Sequence, residues 1–209
     1  MLNALATLEV YRGDYACAAA VQEESLAREA GDVRSVANYN VNLGWTAAMT
    51  GEHERAEAFL QEAQELFRKL GDRNMAALCD RLFGFLALCR NDPDRAEELC
   101  VKAIRELQEL AETPGVDFAL DVLGGVAATR GEIRRAARLW GAAAASREFN
   151  NIPWLSEERT MIEPHIEAAR TRLDEVAWEK AWEEGRSMTL EEAVNYALED
   201  SEERTVEQG

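Results

Sequence analysis

The residues Asn42 to Ala63, "NLGWTAAMTGEHERAEAFLQEA", decide the fold. They carry Leu43-Gly44 with Ala47, a break at Gly51-Glu52, and then Ala56, Leu60 and Ala63. The pattern returns without gaps 40 residues on as Phe83-Gly84, Ala87, Asn91-Asp92, Ala96, Cys100 and Ala103. It returns again as Leu123-Gly124, Ala127, Gly131-Glu132, Ala136, Trp140 and Ala143. An earlier copy, two residues shorter, runs through Leu5-Ala6, Gly13-Asp14, Ala18 and Ser25. Self-similarity at such a period marks a repeated supersecondary unit that buries its apolar face only against its neighbours.

Each copy reads as two antiparallel helices. Small residues recur where two axes approach closely, because a larger side chain would force them apart. The Gly or Asn at the turn suits the left-handed conformation that ends a helix, and the acid after it caps or electrostatically favours the next helix. Asp92-Pro93 reads as a cap followed by a first helical residue. Gly31-Asp32 and Gly71-Asp72 repeat the stop and start between copies.

This register settles the meaning of Gly51-Glu52-His53-Glu54, which by itself looks like the start of a zinc-peptidase helix. The position of His53 is taken by Tyr15, Pro93 and Ile133 in the other copies. It is a first-turn position with no fixed chemistry, and the only other histidine, His165, lies over a hundred residues away. Cys100 occupies the position of Leu60 and Trp140 and reads as a core residue. Cys17, Cys79, Cys89 and Cys100 form no CxxC pair and no disulfide framework. With no nucleophile–base pair, phosphate loop or metal cluster, the sequence predicts a non-enzyme without cofactors or metal.

The 209 residues are 47% hydrophobic, enough for a sizeable core, and carry 40 acids against 23 bases for a formal charge of −17. A surface of that sign repels phosphate backbones and anionic lipid, so the expectation is no direct nucleic acid and no membrane contact. The opening "MLNALATLEV" carries no signal-peptide pattern, no run approaches a bilayer span, and a cytoplasmic setting is expected.

The order Asn40-x2-Leu43-Gly44-x2-Ala47, then Ala56, Leu60 and Ala63, resembles the tetratricopeptide repeat, over residues 1–149. The copies are longer than is usual in that family and lack its proline and some of its aromatics. The longer form resembles repeats of large bacterial signalling ATPases and LuxR-type transcriptional regulators. Residues 139–199 look like the C-terminal end of such regulators, with the signature Ala181-Trp182-Glu183-Glu184-Gly185-Arg186-Ser187-Met188-Thr189-Leu190-Glu191-Glu192-Ala193. The resemblance implies an all-α, right-handed α-α superhelix over 1–149 and a C-terminal helical cap over 150–200, while the acidic residues 201–209, with few apolar side chains, read as a disordered tail. Within the cap, Thr189 to Glu192 matches a capping box before a stripe of Leu190, Ala193, Val194, Ala197 and Leu198. Trp178 and Trp182, one helical turn apart, are expected to anchor the cap on the last repeat.

The resemblance further implies a protein-interaction and sensor module whose concave groove takes a protein or peptide, a small effector, or the upstream switch domain of a parent regulator. The alternative is structural self-association as a homo-oligomer. By the family's register the groove is lined by Asn38, Val41, Trp45 and Met49, by Leu78, Arg81, Phe85 and Leu88, and by Phe118 and Asp121. The clustered Arg130, Arg134, Arg135 and Arg138 read either as a solvated face or as a dock for an acidic partner.

Overall fold

The computed structural model describes residues 32–150 and 156–207, and among these the chain forms nine α-helices and no strand. They are α1 (Val33–Met49), α2 (His53–Lys69), α3 (Arg73–Cys89), α4 (Pro93–Glu109), α5 (Val116–Thr129), α6 (Ile133–Phe149), α7 (Ser156–Arg170), α8 (Glu175–Arg186) and α9 (Leu190–Glu207). The earliest copy of the repeat, with Cys17, lies outside the described residues.

The helix starts follow from the sequence. Asp32, Asp72 and Asp92 cap α1, α3 and α4, with Asp72 accepting from the Met75 N–H and Asp92 from the Arg95 N–H at 3.1 Å each. Glu52 and Glu132 make no side-chain cap bond to α2 and α6, leaving only their favourable charge at the helix N-terminus. The turn position within each hairpin has positive φ in all three copies, +76° at Gly51, 58° at Asn91 and +87° at Gly131. That is why Gly or Asn stands there.

Each of α1, α3 and α5 packs along the helix that follows it, and successive hairpins pack on one another. The glycines mark the closest contacts. A Cβ on Gly44 would lie 2.7 Å from Leu60 Cγ, on Gly84 2.6 Å from Cys100 Sγ, and on Gly124 2.5 Å from Trp140 Nε1. Glycine inside a helix costs about 1 kcal/mol relative to alanine. Here it admits the side chain 16 positions later, whether Leu60, Cys100 or Trp140, and each of these is at most 1% exposed.

The C-terminal helices pack back on this stack. α8 crosses α6 in backbone contact: a Cβ on Gly141 would meet the Trp182 carbonyl oxygen at 2.3 Å, and one on Gly185 the Arg138 carbonyl oxygen at 2.0 Å. Trp178 is buried, with its ring centroid 6.2 Å from Trp140 on one side and 6.2 Å from Trp182 on the other. Trp178 therefore joins α8 to α6 through Trp140, and Trp182 stacks on Trp178 within α8. α9 opens on the capping box, with the Thr189 N–H donating to Glu192 at 2.8 Å and the Glu192 N–H to Thr189 Oγ1 at 3.2 Å. It packs against α4, α5 and α6 through buried Ala193, Val194 and Ala197, and its helix continues past Ser201 to Glu207.

The arginine cluster mostly holds helices together. Arg130 pairs with Asp94 at 2.7 Å and Glu97 at 2.9 Å on α4, and Arg138 with Glu184 at 2.6 Å on α8. Arg135 stacks on the Tyr196 ring of α9 at 4.7 Å and donates to the Tyr196 and Ala197 carbonyls at 3.1 and 3.2 Å. Arg134 is exposed.

Candidate binding site

Residues on α1, α3 and α5 converge around one ring. Phe118, fully buried, has Trp45 at 5.4 Å and Phe85 at 6.2 Å between ring centroids, both tilted. Such tilted pairs exceed their burial alone by about 1 kcal/mol. The Arg81 guanidinium stands 5.1 Å from the same ring, and Arg81 Nη1 donates to the Gly115 carbonyl at a long 3.5 Å. Gly115 has φ +92°, a conformation that L side chains rarely adopt, and a Cβ there would lie tight against the guanidinium carbon at 3.1 Å. The start of α5 is thus shaped around Arg81.

The sequence-predicted residues divide by depth. Asn38, Trp45, Met49, Leu78 and Arg81 are half-buried, whereas Val41, Phe85, Leu88, Phe118 and Asp121 are buried. Phe85 and Phe118 form the layer beneath Trp45 and Arg81. Hydrophobic burial explains that layer, and a cation over an aromatic face adds about 0.5 to 2 kcal/mol according to its desolvation.

Asp121 has a partner that the sequence reading missed. Arg147 donates to Asp121 through both terminal nitrogens, at 2.6 and 3.3 Å, and lies 3.5 Å from Asp117. All three side chains are buried. The signal was in the register: Arg147 stands where the preceding hairpins place Leu107 and Phe67, with Asp117 opposite in the position of Ala77 and Ala37. Burial pushes the Asp121 carboxyl up to about 6, and Asp117 adds to this, against the Arg147 guanidinium. The Asp121 carbonyl also accepts from Trp140 Nε1 at 2.9 Å, tying the charged cluster to the glycine–tryptophan contact.

A concavity opens on the other side of α3 from these rings, a cleft of about 500 Å³ lined in part by Phe83, Leu86, Ala87 and Leu99. Among the described residues no group of three or more His, Cys, Asp or Glu could hold a metal ion, and His53 is the first residue of α2. Burial pushes the thiols up, Cys79 to about 12 and Cys89 to about 11, so neither supplies a thiolate near neutrality. No helix among the described residues is long and apolar enough to cross a membrane.

No protein-family model matches the chain. Among curated proteins, its similarity is to regulators. One from Mycobacterium bovis and two from strains of Mycobacterium tuberculosis carry the provisional name HTH-type transcriptional regulator. Each is 27% identical over 162 residues, which is 78% of this chain and 18% of the relative. The chain therefore spans less than a fifth of the length of these relatives.

This finding corrects one expectation. The exclusion of direct nucleic-acid contact does not stand, because the relatives' name implies DNA binding by those proteins. The charge argument failed because it weighed only this chain's −17. A stretch matching 18% of a regulator carries no measure of the surface that such a protein turns toward DNA.

Proposed function

We propose that this chain is a tetratricopeptide-like interaction and sensor module of a bacterial transcriptional regulator, without catalytic activity of its own. In this reading the hairpins form a right-handed superhelix over 1–149, closed by a cap over 150–200. The groove lies on the α1, α3 and α5 side, with Trp45 and Arg81 at its rim and Asn38 and Met49 beside them. It takes a protein or peptide segment, a small effector, or the switch domain of the parent regulator.

The observation that carries the reading is the Trp45–Phe118–Phe85 cluster with Arg81 over its central ring. It joins three successive hairpins, so a ligand held by Trp45 and Arg81 would bias how those hairpins sit on one another. Such a bias is a coupling free energy between sites. The similarity to regulators over 78% of the chain supports the regulatory half of the reading.

Calorimetric titration of the chain with peptides and metabolites tests it. The double variant Trp45→Ala, Arg81→Ala, verified as folded by circular dichroism, should weaken any specific ligand by about 2 kcal/mol, the scale of an interface hot spot. Unchanged affinity for every ligand found would place the binding surface elsewhere.

A further inference from the structure

Two carboxylates share one guanidinium inside this molecule. The side chains of Asp121, Arg147 and Asp117 are 0%, 5% and 7% exposed, with Arg147 at 2.6 Å from Asp121 and 3.5 Å from Asp117. With all three ionised, the cluster holds one negative charge in excess, sealed from water. A buried charge without a partner is costly, so such a site favours taking up a proton. The preceding hairpins place no carboxylate at these positions: they hold Ala37, Val41 and Phe67, then Ala77, Arg81 and Leu107.

The cluster adjoins the aromatic groove. Asp117 and Asp121 bracket Phe118 on the first turns of α5, and Gly115, just before that helix, lies close against Arg81. Arg147 stands in the last turn of α6, so its hold on both carboxylates ties the start of α5 to the end of α6. The charges that act on Asp121 are those of Arg147 and Asp117. Ionisable groups on the other helices packed on α5 are engaged elsewhere. On α3, Arg81 stands over Phe118 and Asp80 pairs with Lys102 of α4 at 2.9 Å. On α4, Glu106 pairs with Arg73 at 2.6 Å and Glu97 with Arg130 at 2.9 Å. On α7, Glu163 pairs with Arg159 at 2.8 Å, and burial pushes half-buried His165 down. On α9, Glu192 closes the capping box and Tyr196 lies under Arg135.

We propose that Asp117, Asp121 and Arg147 form a proton-operated clamp: a proton on the carboxylate pair holds the start of α5 to α6, and its loss loosens this junction together with Phe118. As a control on the groove, the clamp rests on the function proposed above. Its test needs no ligand, however, so failure of the clamp and failure of the groove are distinguishable. The sign follows from the burial of Asp121, whose carboxyl is pushed up to about 6. In an opened junction it returns to the ordinary value of about 4. Closure is therefore strongest at low pH and weakens as pH rises through about 6.

Hydrogen exchange of the full chain, read by mass spectrometry and corrected for intrinsic rates, tests the clamp. Protection over residues 116–123 should fall about tenfold from about pH 5 to about pH 7.5, while protection over residues 56–67 on α2 changes by less than about twofold. Asp121→Asn should abolish the fall. Asp117→Asn, which keeps the Asp121–Arg147 pair and balances its charge, should move the fall to lower pH and cut it to about threefold or less in this range. His165→Gln should leave it in place. An undiminished fall in either aspartate variant, or its loss in His165→Gln, overturns the proposal. So does a wild type without the fall, or an equal fall over 56–67, which would mean that the whole stack responds rather than this junction.

Discussion

Arg147 shows how one residue can depart from a repeat without breaking it. In the two preceding hairpins its register position holds Phe67 and Leu107, both fully buried apolar side chains. A guanidinium placed there must be neutralised on the spot, and Asp121 and Asp117 do so from α5. Breaking a buried pair leaves an uncompensated charge, so Arg147→Met should cost about 3 kcal/mol or more, while leaving two carboxyls buried. Urea unfolding of the two proteins measures it.

The same cluster sets a pH dependence with a definite sign. The Asp121 carboxyl, pushed up to about 6 by burial, binds a proton more readily in the folded chain than in the unfolded one. Its contribution to stability is full below the ordinary carboxylate range and is lost as pH rises through about 6. The wild-type advantage over Asp121→Asn should therefore shrink as pH rises from about 4 to 7. A constant difference across that range would contradict the assignment.

At the scale of the helices, the crossing of α6 and α8 explains why a regulator-like signature contains Gly185. The backbones touch there, with no space for a methyl group beside the Arg138 carbonyl. Gly185→Ala would gain about 1 kcal/mol of helix propensity were the site open. Overpacking against backbone outweighs that, and we expect a net loss of about 2 kcal/mol with a lower Tm in thermal unfolding. The sequence made this crossing legible only as a resemblance. Helix starts were clearer, because Asp32, Asp72, Asp92 and the Thr189–Glu192 pair act locally through their own hydrogen bonds. What a helix packs against depends on partners distant in sequence. Hence Arg130, Arg135 and Arg138 read as a solvated or docking face, although each reaches another helix.

For the whole molecule, the all-α stack was legible because the 40-residue pattern of small residues encodes contacts that repeat in space. The site was less so. Register brought Trp45, Arg81, Phe85 and Phe118 together, but it could not give their depth, which depends on how neighbouring hairpins close over them. The relation to nucleic acid was read wrongly from this chain's charge alone. All of these readings rest on the claim that each hairpin closes by seating one buried side chain on the glycine 16 positions earlier. A double-mutant cycle on Gly84 and Cys100 tests that claim most directly. With Cys100 present, Gly84→Ala should destabilise the chain, because the new Cβ falls 2.6 Å from the sulfur. With Cys100→Ala as background the same change should lose that penalty and tend toward the helix-propensity gain of about 1 kcal/mol. If Gly84→Ala stabilises both backgrounds equally, the glycine seats nothing and the account of the repeat is wrong.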